Sequence, residues 1–280
     1  MSAEDTEEST SRTVQTKRGA LHYNEVGEGA ALIMLHGAGP GATGWSNFGP
    51  NLSALGTRFR TLAVDMPGWG KSDPVKAAES DHVEAVKMFM DELGIDKAAL
   101  IGNSMGGSTA LRFAVRHPER ISHVITMGAS AGATKLFSPG GRPSEGLGLL
   151  FETYRDPSPS AMKRLIQVMT YDASFATDEL AAERSATALS QPEHISNFLE
   201  GLSAPPRGLS VSEEDLKSIE IPALVLHGRD DRVLSFEASL QLVSTIPNSR
   251  MVLFNRCGHW VQLEHAAEFN RLVEQFVLNS

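Results

Sequence analysis

Short apolar runs of strand length alternate with helical stretches along most of this chain, and the alternation stops once. Ala31–Leu35, Thr61–Val64, Ala98–Ile101, His123–Met127, Ala223–Leu226 and Met251–Phe254 are near-continuous apolar runs. Runs so short and so uniformly apolar predict strands covered on both faces, as in a parallel sheet. Between them, Asp81–Leu93, Ser108–His117, Phe236–Ser244 and His265–Leu278 read as helices. In the last of these Phe269, Leu272, Val273 and Phe276 share one buried face. Thr13–Arg18 and Leu21–Val26, joined at Gly19, predict a leading hairpin. Strands alternating with helices in one sheet require right-handed crossovers, so the fold class is α/β.

The alternation is suspended between residues 131 and 210. That stretch opens with a Gly/Pro-rich loop over 137–143. Helical segments follow around 158–170, 178–189 and 192–202. An insert of helices between two sheet strands predicts a cap over one end of the sheet. The expected organisation is a core of residues 13–130 and 211–280, a helical cap or lid of 131–210, and a tail of 1–12. The tail is rich in acids, Ser and Thr, which predicts a solvated, flexible segment.

Composition excludes several function classes. Acids outnumber bases 34 to 25, a net charge of −9, and the two signs are interspersed. No basic stripe is left for nucleic acid. The single cysteine, Cys257, forbids an intramolecular disulfide and fits a reducing compartment. The longest apolar run, Ala30–Leu35, is far too short to span a membrane. The opening residues lack the basic and apolar regions of a signal peptide. The expectation is a cytoplasmic protein without membrane or nucleic-acid partners.

The chemistry starts at Gly102-Asn103-Ser104-Met105-Gly106, between a strand run and a helical stretch. A serine flanked by glycines in that context is a nucleophile elbow: side chains would clash in so tight a turn. Ser104 would then stand at a helix N-terminus, where free N–H groups favour a developing anion. A serine hydroxyl needs an imidazole to take its proton, and the imidazole needs a carboxylate to fix its tautomer. Asp231, after the strand run that ends in His227-Gly228, and His259, in Cys257-Gly258-His259-Trp260, occur in the required order. Both fall at carboxyl ends of strands, where open α/β sheets bind ligands. Asp230 is the alternative acid, and the Gly-x-x-Asp spacing favours Asp231. The run His36-Gly37-Ala38-Gly39-Pro40-Gly41 has the small residues an oxyanion loop needs. The Ala38 and Met105 N–H groups are its expected donors. His36 is expected to tie the loop down. The other histidines show no metal-ligand spacing, so no metal is expected.

These motifs resemble those of the α/β-hydrolase superfamily and, within it, the meta-cleavage-product hydrolases, which cleave carbon–carbon bonds in aromatic-ring degradation. The resemblance runs from about Thr13 to Leu278 and rests on residues 36–48, 102–107, 228–232 and 257–260. It implies an α/β-hydrolase fold, a mostly parallel sheet flanked by helices with an inserted helical cap. It also implies hydrolysis of a 2-hydroxy-6-oxo-hexa-2,4-dienoate to 2-hydroxypenta-2,4-dienoate and a carboxylic acid, with no cofactor. The resemblance assigns Asn47, Asn103 and Arg184 to the carboxylate and 2-oxo end of the substrate, and Trp260 to packing beside it. Gly37, Gly39 and Met169 complete the expected substrate contacts. Bland alternatives stay open: the two Asn could brace their turns, and Arg184 could be a solvated helix residue. A homo-oligomer, dimer or higher, is expected.

The chain departs from the family pattern at Ala38, at Met169 and in the length of the 137–146 loop. The last two touch the variable tail of the substrate. Phe137, Leu150, Met162, Met169, Phe175 and Phe198 predict an apolar tail pocket, favouring C6-phenyl or C6-alkyl substrates over a distal carboxylate. Arg142 is the one residue that could reverse this. A carboxylesterase on the same triad and a hydrolase-like small-molecule receptor are the rival functions.

Overall fold

The structure, a computed structural model, describes residues 5–132, 143–202 and 210–280. Elements in chain order are α1 (Glu7–Thr10), β1 (Ser11–Thr16), β2 (Gly19–Val26), β3 (Ala31–Leu35), α2 (Gly44–Gly56), β4 (Arg60–Val64) and α3 (His82–Glu92). There follow β5 (Ala98–Asn103), α4 (Met105–Arg116), β6 (Ile121–Met127), α5 (Glu145–Arg155), α6 (Pro159–Met169), α7 (Asp178–Leu189) and α8 (Pro192–Leu202). The chain closes with α9 (Glu213–Lys217), β7 (Ala223–Gly228), α10 (Glu237–Thr245), β8 (Ser249–Phe254), α11 (Val261–Glu264) and α12 (Ala266–Asn279).

The strands form one sheet in the order β1-β2-β4-β3-β5-β6-β7-β8. The β1–β2 and β2–β4 pairs are antiparallel, and every later pair is parallel. Side chains alternate across this sheet, so each central strand supplies both cores. Ile33 and Leu35 of β3 join Phe89 of α3, Phe113 of α4 and Leu242 of α10 on one face. Leu32 and Met34 join Phe48 and Leu52 of α2 and Phe269, Val273 and Phe276 of α12 on the other. A strand apolar at every position is what two covered faces demand.

Helices α5–α8 lie between β6 and β7 and have a third core of their own. Leu150, Tyr154, Met162, Leu165 and Ile166 pack there with Val233 and Trp260 from the sheet side. Helix α5 falls where the sequence reading assigned no element. Phe137 and Arg142, named for the expected tail pocket, lie outside the described residues. No helix among the described residues is long and apolar enough to cross a membrane.

The expectation of a flexible tail over 1–12 is corrected for residues 6–12. The Ser and Thr residues that suggested solvation instead cap a helical turn: the Thr6 and Ser9 side chains bond each other's backbone N–H. Asn24 of β2 then donates to the Glu7 carbonyl at 2.8 Å and to Thr10 Oγ1 at 2.9 Å, fastening the turn to the sheet.

Candidate active site

The sequence places a serine between the last residue of β5 and the first residue of α4. Ser104 has φ 53° and ψ −113°, a strained backbone for a residue with a side chain. The glycines make that turn sterically feasible. A Cβ at Gly102 would sit 2.2 Å from the Gly106 carbonyl carbon, and one at Gly106 would sit 2.0 Å from the Leu35 carbonyl oxygen. Helix α4 begins at Met105 rather than at Ser108, so the Ser104 side chain stands directly over its N-terminus.

His259 and Asp231 meet as expected. His259 Nδ1 lies 2.7 Å from Asp231 Oδ2. The other carboxylate oxygen, Oδ1, accepts from the Val233 and Leu234 N–H groups at 2.7 and 3.0 Å. Burial alone would raise the Asp231 pKa, but His259 and His227 outweigh it and hold the carboxyl well below its usual range. Asp230, the alternative acid, pairs instead with Arg229. Gly128, at the end of β6, makes room for the pair: a Cβ there would lie 2.7 Å from the His259 ring. Asn103 draws the histidine loop to the elbow, donating to the His259 carbonyl at 3.0 Å.

The loop after β3 closes the other side. A Cβ at Gly37 would be 2.9 Å from Asn103 Oδ1 and 3.4 Å from Ser104 Cβ, so the loop lies against the elbow. His36 Nε2 accepts from the Met66 N–H at 2.9 Å, which leaves the ring proton on Nδ1 to bond the Gly37 carbonyl at 2.8 Å. That bond fixes the Gly37–Ala38 peptide plane and turns the Ala38 N–H away from the ring. From the cap, Tyr154 donates its hydroxyl proton to the Ala38 carbonyl at 2.9 Å, fixing the next peptide. Among the described residues neither the Ala38 nor the Met105 N–H has an acceptor.

Arg184, from α7, is 4% exposed. A Cβ at Gly41 would lie 2.2 Å from the Arg184 carbonyl oxygen, so a glycine there lets α7 close onto the loop. The guanidinium lies 5.1 Å from the Trp260 ring centroid and donates to Ser46 Oγ at 3.4 Å. Its Nη2 would be 3.4 Å from a Cβ at Gly39. Its Nε is buried without a partner, and no carboxylate among the described residues is within ion-pair distance. Burial lowers its pKa to about 10, with Glu183 and Tyr154 opposing, so it remains charged at neutral pH. A solvated helix charge is thereby excluded.

The remaining expected contacts are mixed. Asn47 is buried in the first turn of α2 and donates to the Thr43 carbonyl and to Ser46 Oγ. Asn103 also donates to the Met127 carbonyl, and its Oδ1 stays buried and unpartnered. Both therefore brace local structure, and Asn103 keeps one free acceptor. Met169 offers its carbonyl to the His259 N–H at 2.7 Å, while its side chain joins the cap core.

Three residues escaped the sequence reading. Tyr154 holds the loop after β3 from the cap. Glu264 joins cap to histidine loop, accepting from the Gly258 and Tyr171 N–H groups at 2.7 and 2.6 Å. His227 sits behind Asp231, with Nε2 3.1 Å from Oδ2. Only His227 carried a signal, as a titratable residue at the end of an otherwise apolar strand run.

Comparison with known proteins agrees with this architecture. A family model described as the alpha/beta hydrolase fold matches residues 30–266. The chain is 44% identical to a 2-hydroxy-6-oxononadienedioate/2-hydroxy-6-oxononatrienedioate hydrolase of Cupriavidus pinatubonensis, over 98% of this chain and 97% of that one. It is 43% identical to a 2-hydroxy-6-oxo-6-phenylhexa-2,4-dienoate hydrolase of Burkholderia cepacia, over 92% and 91%. Among solved structures, a meta-cleavage product hydrolase of Pseudomonas fluorescens superposes with a TM-score of 0.85 at 33% identity, covering 95% of this chain and 96% of that one. The chain belongs to the α/β-hydrolase family and, within it, to the meta-cleavage product hydrolases.

Proposed function

We propose that this protein hydrolyses the C5–C6 bond of a 2-hydroxy-6-oxo-hexa-2,4-dienoate, giving 2-hydroxypenta-2,4-dienoate and a carboxylic acid. The observation that carries this reading is Arg184. A guanidinium buried without an anionic partner is costly unless a ligand supplies the anion. Here it stacks near Trp260, the neighbour of His259. A neutral ester needs no such group, and a substrate with a carboxylate at one end does.

The residues divide the work. Arg184 binds the dienoate carboxylate, and the free Asn103 Oδ1 accepts from the 2-hydroxyl end. Held there, the dienol becomes a ketone, so that the fragment leaving C6 is a stabilised carbanion. His259, oriented by Asp231, moves the protons. Ser104 attacks the C6 carbonyl, and the Ala38 and Met105 N–H groups stabilise the oxyanion. Water releases the acid from the serine.

The substrate tail is read as apolar. Among the described cap residues Arg184 is the only buried charge, and it is committed to the other end. Relatives named for a dioic and for a 6-phenyl substrate stand at 44% and 43% identity, so identity does not separate the two. Turnover of C6-phenyl, C6-methyl and C6-carboxyethyl dienoates, followed by loss of the dienoate chromophore, tests both parts. Turnover of the panel is expected, with kcat/KM highest for phenyl or methyl, and Ser104→Ala should lose several orders of magnitude while still binding. No turnover of any member by the wild type, or undiminished turnover by Ser104→Ala, would end the proposal. A strong preference for the diacid, abolished by Arg142→Ala, would reverse the tail assignment alone.

A further inference from the structure

The acid of the triad has a second histidine on it. His227 closes β7, is fully buried, and has its Nε2 3.1 Å from Asp231 Oδ2, the same oxygen that His259 reaches at 2.7 Å. Nε2 is also 2.9 Å from the Leu234 carbonyl, which can only accept, so the proton of the ring is on Nε2. In the neutral ring Nδ1 is then the acceptor, and the buried Ser239 hydroxyl, 2.6 Å away on α10, is its donor. Ser239, His227, Asp231 and His259 therefore lie in one buried row, with the His227–Asp231 step a close contact of 3.1 Å. The Val233 and Leu234 N–H groups and His259 supply three donors to the carboxylate, and the His227 N–H, hydrogen-bonded to the Leu234 carbonyl, lies close enough to Oδ2 to be shared with it.

We propose that His227 is a positioning residue that sets the basicity of His259 by sharing Asp231 Oδ2 with it. This rests on the reading of Asp231 and His259 as acid and base. A donor on Oδ2 disperses the carboxylate charge and weakens the pull on a protonated His259. It also fixes the carboxylate's rotation, and hence the direction in which the imidazole points. Asp230, paired with Arg229, and Cys257 and Glu264, on the loop and helix around His259, are the other ionisable groups nearby. All stay unaltered in the variants below, so differences between variants report His227.

The test is the pH profile of kcat/KM for a dienoate, measured on the whole protein. His227→Phe keeps the ring and removes the donor. Its acid limb should move to higher pH by about half a unit to one unit, with kcat about tenfold lower and KM nearly unchanged. His227→Gln places an amide N–H near the position of Nε2 and should restore both limb and rate. Ser239→Ala weakens the donor without removing it and should shift the limb in the same direction by less; it decides the matter if His227→Phe does not fold. A wild-type acid limb in His227→Phe, or equal shifts in the Phe and Gln variants, would overturn the inference. Asp231→Asn, run in parallel, separates the two levels. If it retains activity, the acid–base reading fails; if it collapses while the His227 variants keep the wild-type profile, the role of His227 alone fails.

Discussion

At the scale of single residues, the site depends on where side chains are missing. The Ser104 turn brings β5, α4 and the end of β3 so close that a Cβ at Gly102 would lie 2.2 Å from a backbone carbon. No flexible side chain can yield there, because the clash is with backbone. Gly102→Ala is therefore expected to cost about 3 kcal/mol or more, at the upper end of overpacking. Equilibrium unfolding in denaturant measures it, and a midpoint close to wild type would contradict the packing described. This constraint was legible in the sequence, since glycines on both sides of a serine after a strand have few other uses. So was the order of Ser104, Asp231 and His259. The preference for Asp231 over Asp230 came from turn spacing, and the turn after β7 sets Asp231 against His259 while Asp230 pairs with Arg229. Tyr154 and Glu264 were not legible. Their roles come from contacts with Ala38 and Tyr171, residues more than ninety positions away in each case, and no local pattern encodes such pairings.

At the scale of elements, strands were read more accurately than the cap. Strand β3 has its predicted bounds, and β5 extends two residues further to deliver Asn103. Helix α5 was missed because Gly146 and Gly148 follow a Gly/Pro-rich loop, and Ser144 as its N-cap became evident only in three dimensions. The α1 turn was missed for the opposite reason: a polar composition was read as solvation when it supplied caps. Where α5 and α8 meet the core, Tyr154 stacks on Phe198 at 3.7 Å and Trp69 packs against His194 at 4.1 Å. Because the Tyr154 hydroxyl donates to Ala38, His194 Nε2, 3.3 Å from it, is the donor in their contact. Burial lowers the His194 and His82 pKa values to about 4, with neighbouring Arg112 and histidines adding to the effect. A base whose folded pKa lies below its unfolded value of about 6.5 is more protonated when unfolded. Its contribution is complete above pH 6.5 and is lost as pH falls towards 4, by up to about 3 kcal/mol for His194. The melting temperature should thus fall between pH 7 and pH 4.5, and fall less in His194→Gln. Equal losses in both proteins would show that this seam does not titrate.

At the scale of the whole molecule, neither part contains the site alone. The core carries Ser104, Asp231, His259 and the two N–H groups of the proposed site, while the cap carries Arg184 and the Tyr154 hydroxyl that bonds the loop after β3. The sequence indicated both parts and their order along the chain. It did not indicate that the cap reaches the core at Gly41 and Gly258, where backbone meets backbone, or at Ala38, where a tyrosine hydroxyl of α5 meets a carbonyl. The proposed function depends on the buried guanidinium reading a carboxylate that the triad by itself does not need. Comparing Arg184→Ala with wild type on two substrates, a dienoate and p-nitrophenyl acetate, tests it most directly. The value of kcat/KM should fall at least about a hundredfold on the dienoate and only a few-fold on the ester, which has no carboxylate to lose. Equal losses on the two substrates would make Arg184 a structural residue and leave the carboxylate without its proposed partner.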